Sequence, residues 1–184
     1  MLELLRPTYT LPQVEDLPYH GHILDGIKLV AFDVDGTLAN YHELPDTVVK
    51  RMLASLGRAG FDLCVISNAY NERALELQTK LGDVYNMPIV TPETVAASGS
   101  DPRRYRKPSP EMLLHAMKYF AAKPDQTLMV GDQIFKDIVS ANRAGTKSLL
   151  VPRRGNGDHP GVRLQRFPEM LVRSALDIRF DEAA

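Results

Sequence analysis

Hydrophobic residues change rhythm along this chain. Ile27-Lys28-Leu29-Val30-Ala31-Phe32 is a nearly continuous apolar run, the pattern of a strand covered on both faces. Phe61-Asp62-Leu63-Cys64-Val65-Ile66, Thr127-Leu128-Met129-Val130 and Lys147-Ser148-Leu149-Leu150-Val151 predict further strands, and Pro88-Ile89-Val90 a short one. Between them the apolar spacing lengthens to that of helices. Val48, Val49, Met52, Leu53 and Leu56 share one predicted face after Leu44-Pro45-Asp46-Thr47, with Gly57 and Gly60 marking the exit. Residues 71–81 predict a helix carrying Leu75, Leu77 and Leu81. Ser109 reads as an N-cap before Pro110 and Glu111, and Met112, Leu113, Ala116, Met117 and Phe120 as the buried face that follows. Residues 134–144 turn Ile134, Ile138 and Ala141 inward, and 162–179 predict a weaker helix interrupted by Pro168.

What remains is punctuation. Pro7, Pro12, Pro18, Gly21 and Gly26 break residues 1–26 into an irregular arm that docks on the body or on a membrane surface. Residues 91–108 read as loop, and 152–161 as a turn-rich segment. Strand and helix otherwise alternate, which predicts an α/β fold: a Rossmann-like three-layer sandwich with a central parallel sheet and right-handed crossovers. The longest insertions are far below the size of a second domain, so no cap domain is expected. The predicted organisation is an arm over 1–26, a core over 27–151, and a C-terminal turn and helix over 152–184.

Composition narrows the classes. Lys and Arg total 22 against 23 for Asp and Glu, a formal net charge of -1 over 184 residues. That balance speaks against a polybasic nucleic-acid tail or an acidic disordered chain, and no nucleic-acid partner is expected. Polar breaks in every apolar run leave no candidate membrane span. The N-terminus lacks the pattern of a signal or transit peptide, and the single cysteine, Cys64, fits a reducing compartment, so a cytoplasmic location is expected.

The chemistry collects at predicted strand ends. Asp33 and Asp35 follow the first strand, Ser67 and Asn68 the second, and Asp132 the strand at 127, while Lys107 precedes a helix near the same edge. In an open α/β sheet, ligands bind outside the carboxyl ends of the strands. Carboxylates converging there repel unless a cation joins them, and Mg²⁺ is the preferred hard cation for oxygen donors facing a phosphate. A single strand-end Asp more often caps a turn. Asp33-x-Asp35-x-Thr37 also opens like a calcium loop, but Leu38 and Leu44 occupy the positions that need Gly and Glu. No GxGxxG follows the first strand. His20 and His22 have no evident partner ligands, His115 reads as a surface or boundary residue, and Cys64 as a strand interior.

Taken in order, Phe32-Asp33-Val34-Asp35-Gly36-Thr37-Leu38, Ser67-Asn68, Lys107-Pro108 and Gly131-Asp132-Gln133 with Asp137 resemble the four signatures of the haloacid dehalogenase superfamily. Within it the chain is similar to the capless subclass III phosphatases related to phosphatidylglycerophosphate phosphatase. That likeness rests on Leu4-Leu5-Arg6-Pro7, Gly26-Ile27-Lys28, Gly131-Asp132-Gln133-Ile134-Phe135-x-Asp137, Asn142-Arg143-x-Gly145 and Arg163-Leu164-x-Arg166. The resemblance implies phosphoryl transfer to Asp33, with Asp35 as general acid and base. It implies Mg²⁺ held by Asp33, Asp132 and the Asp35 backbone carbonyl. Ser67 and the Asn68 backbone N–H would bind phosphate oxygens, Lys107 would neutralise charge, Thr37 would hold Asp35, and Asp137 would orient Lys107 or a metal-bound water.

The expected activity is therefore Mg²⁺-dependent phosphomonoester hydrolysis on phosphatidylglycerophosphate, with a soluble sugar, nucleotide or other small phosphate ester as the alternative. Without a cap the pocket is open to a bulky substrate or is walled off by a neighbouring copy in a homo-oligomer. Arg103, Arg104 and Arg106 are candidates for binding a second phosphate or an anionic membrane. A non-catalytic scaffold is disfavoured by the intact Asp33, Asp35, Lys107 and Asp132. Carbon–halogen hydrolysis does not need Asp35 as an acid, and a phosphomutase needs a closed site.

Overall fold

The computed structural model describes residues 2–155 and 160–180, the side chains of 160–167 excepted. Six parallel strands form one sheet: β1 (Tyr9–Thr10), β2 (Leu29–Phe32), β3 (Asp62–Ile66), β4 (Ile89–Val90), β5 (Thr127–Gly131) and β6 (Lys147–Leu150), in the order β1-β6-β5-β2-β3-β4. The helices are α1 (Thr47–Arg58), α2 (Asn71–Leu77), α3 (Glu111–Tyr119), α4 (Val139–Ala144) and α5 (Pro160–Ala175), with shorter turns between them.

Strand pleat divides the core into two layers. Val30 and Phe32 of β2 join Val65, Leu128, Val130 and Leu149 on one face, covered by Val49, Met52, Leu53 and Leu56 of α1. Leu29 and Ala31 join Cys64, Ile66 and Met129 on the other, covered by Met112, Leu113, Ala116 and Met117 of α3 and by Ala141 of α4. These strands are buried on both faces, which is why their sequences run apolar instead of alternating. The expected α/β sandwich is the observed one.

Several local expectations are corrected. Val48 and Leu75 are exposed, at 54% and 67%. α3 begins at Glu111 with Pro110 in the cap position, and Ser109 instead presents its carbonyl to the Ser140 hydroxyl at 2.9 Å. Residues 91–108 contain two short helical turns, Pro92–Val95 and Pro102–Tyr105. The helix over 134–144 opens as a wide turn, Ile134–Ile138, before α4. α5 runs through Pro168 instead of stopping there.

The largest difference lies in the arm. β6 does not end the sheet: β1 lies outside it, pairing Tyr9 with Leu149 and Thr10 with Leu150. Leu11, Val14, Leu17 and Ile23 are fully or almost fully buried against the α1 side of the sheet. The Asn142 side-chain amide donates to the carbonyls of Glu3, Leu4 and Arg6 at 3.3, 2.9 and 3.0 Å. Thr8 and Ser148 exchange backbone-to-hydroxyl bonds, each 3.1 Å. Val172, Ile178 and Phe180 cover Ile134, Ile138 and Leu150. The side chains of Arg163, Leu164 and Arg166 lie outside the described residues. No helix among the described residues is long and apolar enough to cross a membrane.

Candidate active site

From β2 the chain runs to β3 and β4 on one side and later returns to β5 and β6 on the other. β2 and β5 therefore flank the point where strand order reverses, and side chains at their carboxyl ends face a ready-made crevice. Asp33 leaves β2 with its N–H bonded to the Val130 carbonyl at 2.9 Å. A tight turn follows, in which the N–H groups of Thr37, Leu38 and Ala39 all reach the Val34 carbonyl. Gly36 sits at φ +102°, and a Cβ there would lie 2.8 Å from Asp132 Oδ2, so this position needs glycine on two counts.

The turn carries Thr37 back over the strand ends. Its hydroxyl lies 3.4 Å from Asp33 Oδ2 and 3.3 Å from Asp132 Oδ1. Thr37 thus bridges Asp33 and Asp132; the expectation that it holds Asp35 is corrected. Asp35 is held elsewhere. Its Oδ1 accepts from the His42 N–H at 3.0 Å and from Arg73 Nη2 at 2.8 Å. Arg73 also binds Glu76 at 2.9 Å and the Glu43 carbonyl at 2.7 Å, and it is 9% exposed. Sequence reading missed Arg73, although a signal existed. Arg73, Leu77 and Leu81 recur four apart and are all buried, so a lone charge interrupts the inward face.

Lys107 is positioned by a clip. Asn68 accepts from the Lys107 N–H at 2.8 Å and donates to the Lys107 carbonyl at 3.2 Å. The ammonium then meets Asp33 Oδ1 at 2.5 Å, Asp137 Oδ1 at 2.7 Å and the Ile66 carbonyl at 2.8 Å. Burial works against its charge, but Asp137 and Asp33 outweigh that and hold its pKa above the ordinary lysine value. Asp137 is fixed in turn by the Gln133 N–H on Oδ2 at 3.0 Å. Gly131 makes room for it: a Cβ there would come within 2.4 Å of Asp137 Cγ. Ser67 is buried, and its hydroxyl accepts from the Ala69 N–H at 3.1 Å.

Asp33, Asp132 and Asp137 place carboxylate oxygens within 4.8 Å of one another, all three buried. Burial, then Asp33 and Asp137, push Asp132 well above the usual carboxylate range, against the pull of Arg153. Three acids facing the Lys107 ammonium and one guanidinium still leave a buried cluster of oxygen donors with an excess of acid, a setting that fits a hard divalent cation. The Asp35 side chain stands outside this cluster and Asp137 inside it. Arg153, whose Nη1 is 3.9 Å from Asp132 Oδ2, is a second residue that sequence reading missed.

A cavity of about 400 Å³ opens over the cluster, lined also by Asp35, Ser67, Asn68, Tyr70, Arg73 and Arg106. Of the predicted arginines only Arg106 faces it, stacked 5.5 Å over the Tyr70 ring. Arg103 is exposed and paired with Asp101 at 3.1 Å, and Arg104 is exposed. Cys64 is buried, and burial raises its pKa so that the thiol keeps its proton. His20 and His22 meet edge to face, their ring centres 5.8 Å apart, outside the lining of the cavity.

Comparison with known proteins gives the site its context. Residues 104–177 match the family described as "HAD-hyrolase-like". The chain is 27% identical over 157 residues to glyceraldehyde 3-phosphate phosphatase of Methanopyrus kandleri, covering 78% of this chain and 63% of the relative. It is 34% identical over 111 residues to phosphoglycolate phosphatase of Aquifex aeolicus, covering 60% of this chain and 46% of the relative. The chain thus spans less than two thirds of the length of either relative. The crystal structure of a HAD phosphatase from Thermococcus onnurineus shares the fold, with a TM-score of 0.51 at 17% identity over 73% of this chain and 90% of that one. The parallel sheet, the ordered strand-end motifs and the match over residues 104–177 agree, and together they make the chain similar to the HAD-like hydrolases.

Proposed function

We propose that this protein hydrolyses phosphomonoesters through a covalent aspartyl-phosphate on Asp33. One observation carries the reading: the acids after β2 are separated into two environments. Asp33 lies in the buried cluster with Lys107, while Asp35, two residues on, is drawn aside by Arg73. A nucleophile and a proton carrier need that separation.

In the first step an Asp33 oxygen attacks phosphorus, the ester P–O bond breaks, and the leaving alkoxide takes a proton from Asp35. Both hydrogen bonds to Asp35 fall on Oδ1, which leaves Oδ2 for that proton. In the second, water attacks the aspartyl-phosphate, its proton passes to the Asp35 carboxylate, and the Asp33–phosphorus bond breaks to release inorganic phosphate. Lys107 balances charge on Asp33 and on the transferred group. Ser67 and the Asn68 backbone N–H are assigned to phosphate oxygens. Asp33 and Asp132, with Asp137 beside them, would hold Mg²⁺, which when bound offsets the repulsion between carboxylate and phosphate.

The substrate class favoured is a small phosphate ester, the kind named for both relatives. Phosphatidylglycerophosphate is kept as a second reading because Asn142 binds the Leu4 and Arg6 carbonyls, tying together two segments that carry the subfamily likeness. That reading assigns exposed Arg103 and Arg104 to an anionic membrane surface. The test is phosphate release with Mg²⁺ from glyceraldehyde 3-phosphate, phosphoglycolate and phosphatidylglycerophosphate in mixed micelles. Asp33→Asn should abolish turnover, and Asp35→Asn should lower it by about 10²-fold or more. Mass spectrometry of Asp35→Asn should find the phosphoryl adduct on Asp33; an adduct elsewhere, or an active Asp33→Asn, overturns the assignment.

A further inference from the structure

The cavity over Asp33 continues past Asn68 and Lys107 into a second groove of about 600 Å³. Asn68, Arg106, Lys107 and Lys136 line both spaces. The groove adds Arg103, Pro108 and Phe135, and its lining contains no Asp or Glu. Lys107 is neutralised by Asp33 and Asp137, and Arg103 is held by Asp101. Arg106 and Lys136 have no carboxylate partner among the described residues, and the Arg106 guanidinium lies 5.5 Å over the Tyr70 ring. Tyr70 also carries a buried hydroxyl without a hydrogen-bond partner among the described residues.

Two unpaired cations and an unused hydroxyl beside a phosphate site are an arrangement a second anion would complete. A guanidinium already drawn over a ring suits this role: its planar fork is preorganised, so less freedom is lost for each hydrogen bond it donates to an oxyanion. We propose that Arg106 and Lys136, with the Tyr70 hydroxyl, form a subsite for a second anionic group on the substrate, so that the preferred ester carries a carboxylate or phosphodiester beyond the transferred phosphate. The inference rests on the phosphatase reading for where the transferred phosphate sits. Lys136 lies one residue before Asp137 and Arg106 one before Lys107, so the subsite and the reacting centre are built on the same two segments. The subsite discriminates between the esters named for the relatives, since phosphoglycolate carries a second anion and glyceraldehyde 3-phosphate does not.

The test uses binding and turnover together. Calorimetric titration of the Asp33→Asn protein with Mg²⁺ should give tighter binding of phosphoglycolate than of glycerol 3-phosphate, whose remainder is neutral. Adding Arg106→Gln and Lys136→Gln should weaken phosphoglycolate by about tenfold or more, the loss expected for charge-assisted hydrogen bonds, and leave glycerol 3-phosphate within about twofold. In the otherwise wild-type protein the same pair should raise KM for phosphoglycolate without lowering kcat on glycerol 3-phosphate. Lys136→Arg should restore part of the loss. Equal affinity for the two esters before the Gln changes, or equal weakening of both after them, overturns the subsite. Selective weakening in a protein that hydrolyses neither ester keeps the subsite and overturns the phosphatase reading. Phosphatidylglycerophosphate in mixed micelles, compared with phosphoglycolate across the same variants, shows whether the second anion is a phosphodiester or a carboxylate.

Discussion

Arg73 gives the site its asymmetry. Its guanidinium spans Asp35, Glu76 and the Glu43 carbonyl while almost fully buried, so truncation leaves Asp35 without its main anchor. Arg73→Met should lower kcat by about tenfold or more with a small change in KM, because a positioned proton carrier contributes about 10²–10⁴-fold and part of that is orientation. Arg73→Lys should recover part of it through a single donor. Loss of KM alone would place Arg73 in substrate binding instead. Gly131 tests the other half of the centre. In Gly131→Ala the new Cβ would overlap Asp137, so Asp137 and then Lys107 must move. Overpacking of this kind costs about 1–3 kcal/mol, and thermal unfolding should report it alongside lost turnover. The Gly131-Asp132 doublet was legible in the sequence as a motif. Its reason was not, because the contact with Asp137 exists only once β5 and the wide turn after it are placed together.

Helix ends and faces were read unevenly, for physical reasons. α1 was legible apart from Val48: Met52, Leu53 and Leu56 are buried as expected, and Asp46 ahead of them accepts on Oδ1 from the Val48 and Val49 N–H groups at 2.9 and 3.0 Å. The Val49 N–H above all, assisted by Arg154 and the Val48 N–H, holds the Asp46 carboxyl below its usual pKa. A depressed carboxylate contributes its stability above the unfolded value near 3.8 and loses it as pH falls through the lower folded value. Asp46→Ala should therefore destabilise the protein by about 1 kcal/mol near neutrality. That difference should shrink as urea unfolding is repeated at pH values descending from 3.8 through the lower folded value, where the wild-type cap becomes protonated. A difference constant with pH would mean that the carboxylate charge is not what caps the helix. In the helix after β3, Leu77 and Leu81 were read inward and are buried, but one position was misread. Leu75 has the apolarity expected of a core position, yet it is exposed, while Arg73 lies inward with Leu77 and Leu81. Periodicity alone could not reveal this, because a buried arginine is stabilised by Asp35 and Glu76, whose positions depend on tertiary structure.

Across the whole molecule, the parallel sheet and the convergence at its carboxyl ends were legible because β2, β3 and β5 have apolar interiors and are followed by polar residues. The edge strand β1 was not. Two residues between prolines carry no period, and their pairing depends on Ser148 and Asn142 far along the chain. The same long-range assembly brings Asp33, Asp132 and Asp137 together, and a cation held by them would couple its binding to folding. Without a cation the native state must hold three buried acids against Lys107 and the more distant Arg153, a repulsion the unfolded chain relieves. A cation that binds only the folded form adds about 2.7 kcal/mol of stability at a concentration 100 times its Kd. Mg²⁺ should accordingly raise the unfolding temperature of the wild-type protein, and chelator should reverse the rise. Asp132→Asn separates repulsion from binding. Removing one of the three acids should leave the cation-free variant at least as stable as the wild type, provided the amide keeps its contact with Thr37, while the Mg²⁺-dependent rise should largely vanish. Circular-dichroism melts of both proteins with chelator and with Mg²⁺ measure both effects. An equal rise in wild type and variant would show that Mg²⁺ binds somewhere other than this cluster. A cation-free variant much less stable than the wild type would show that Asp132 serves the fold more than the ion.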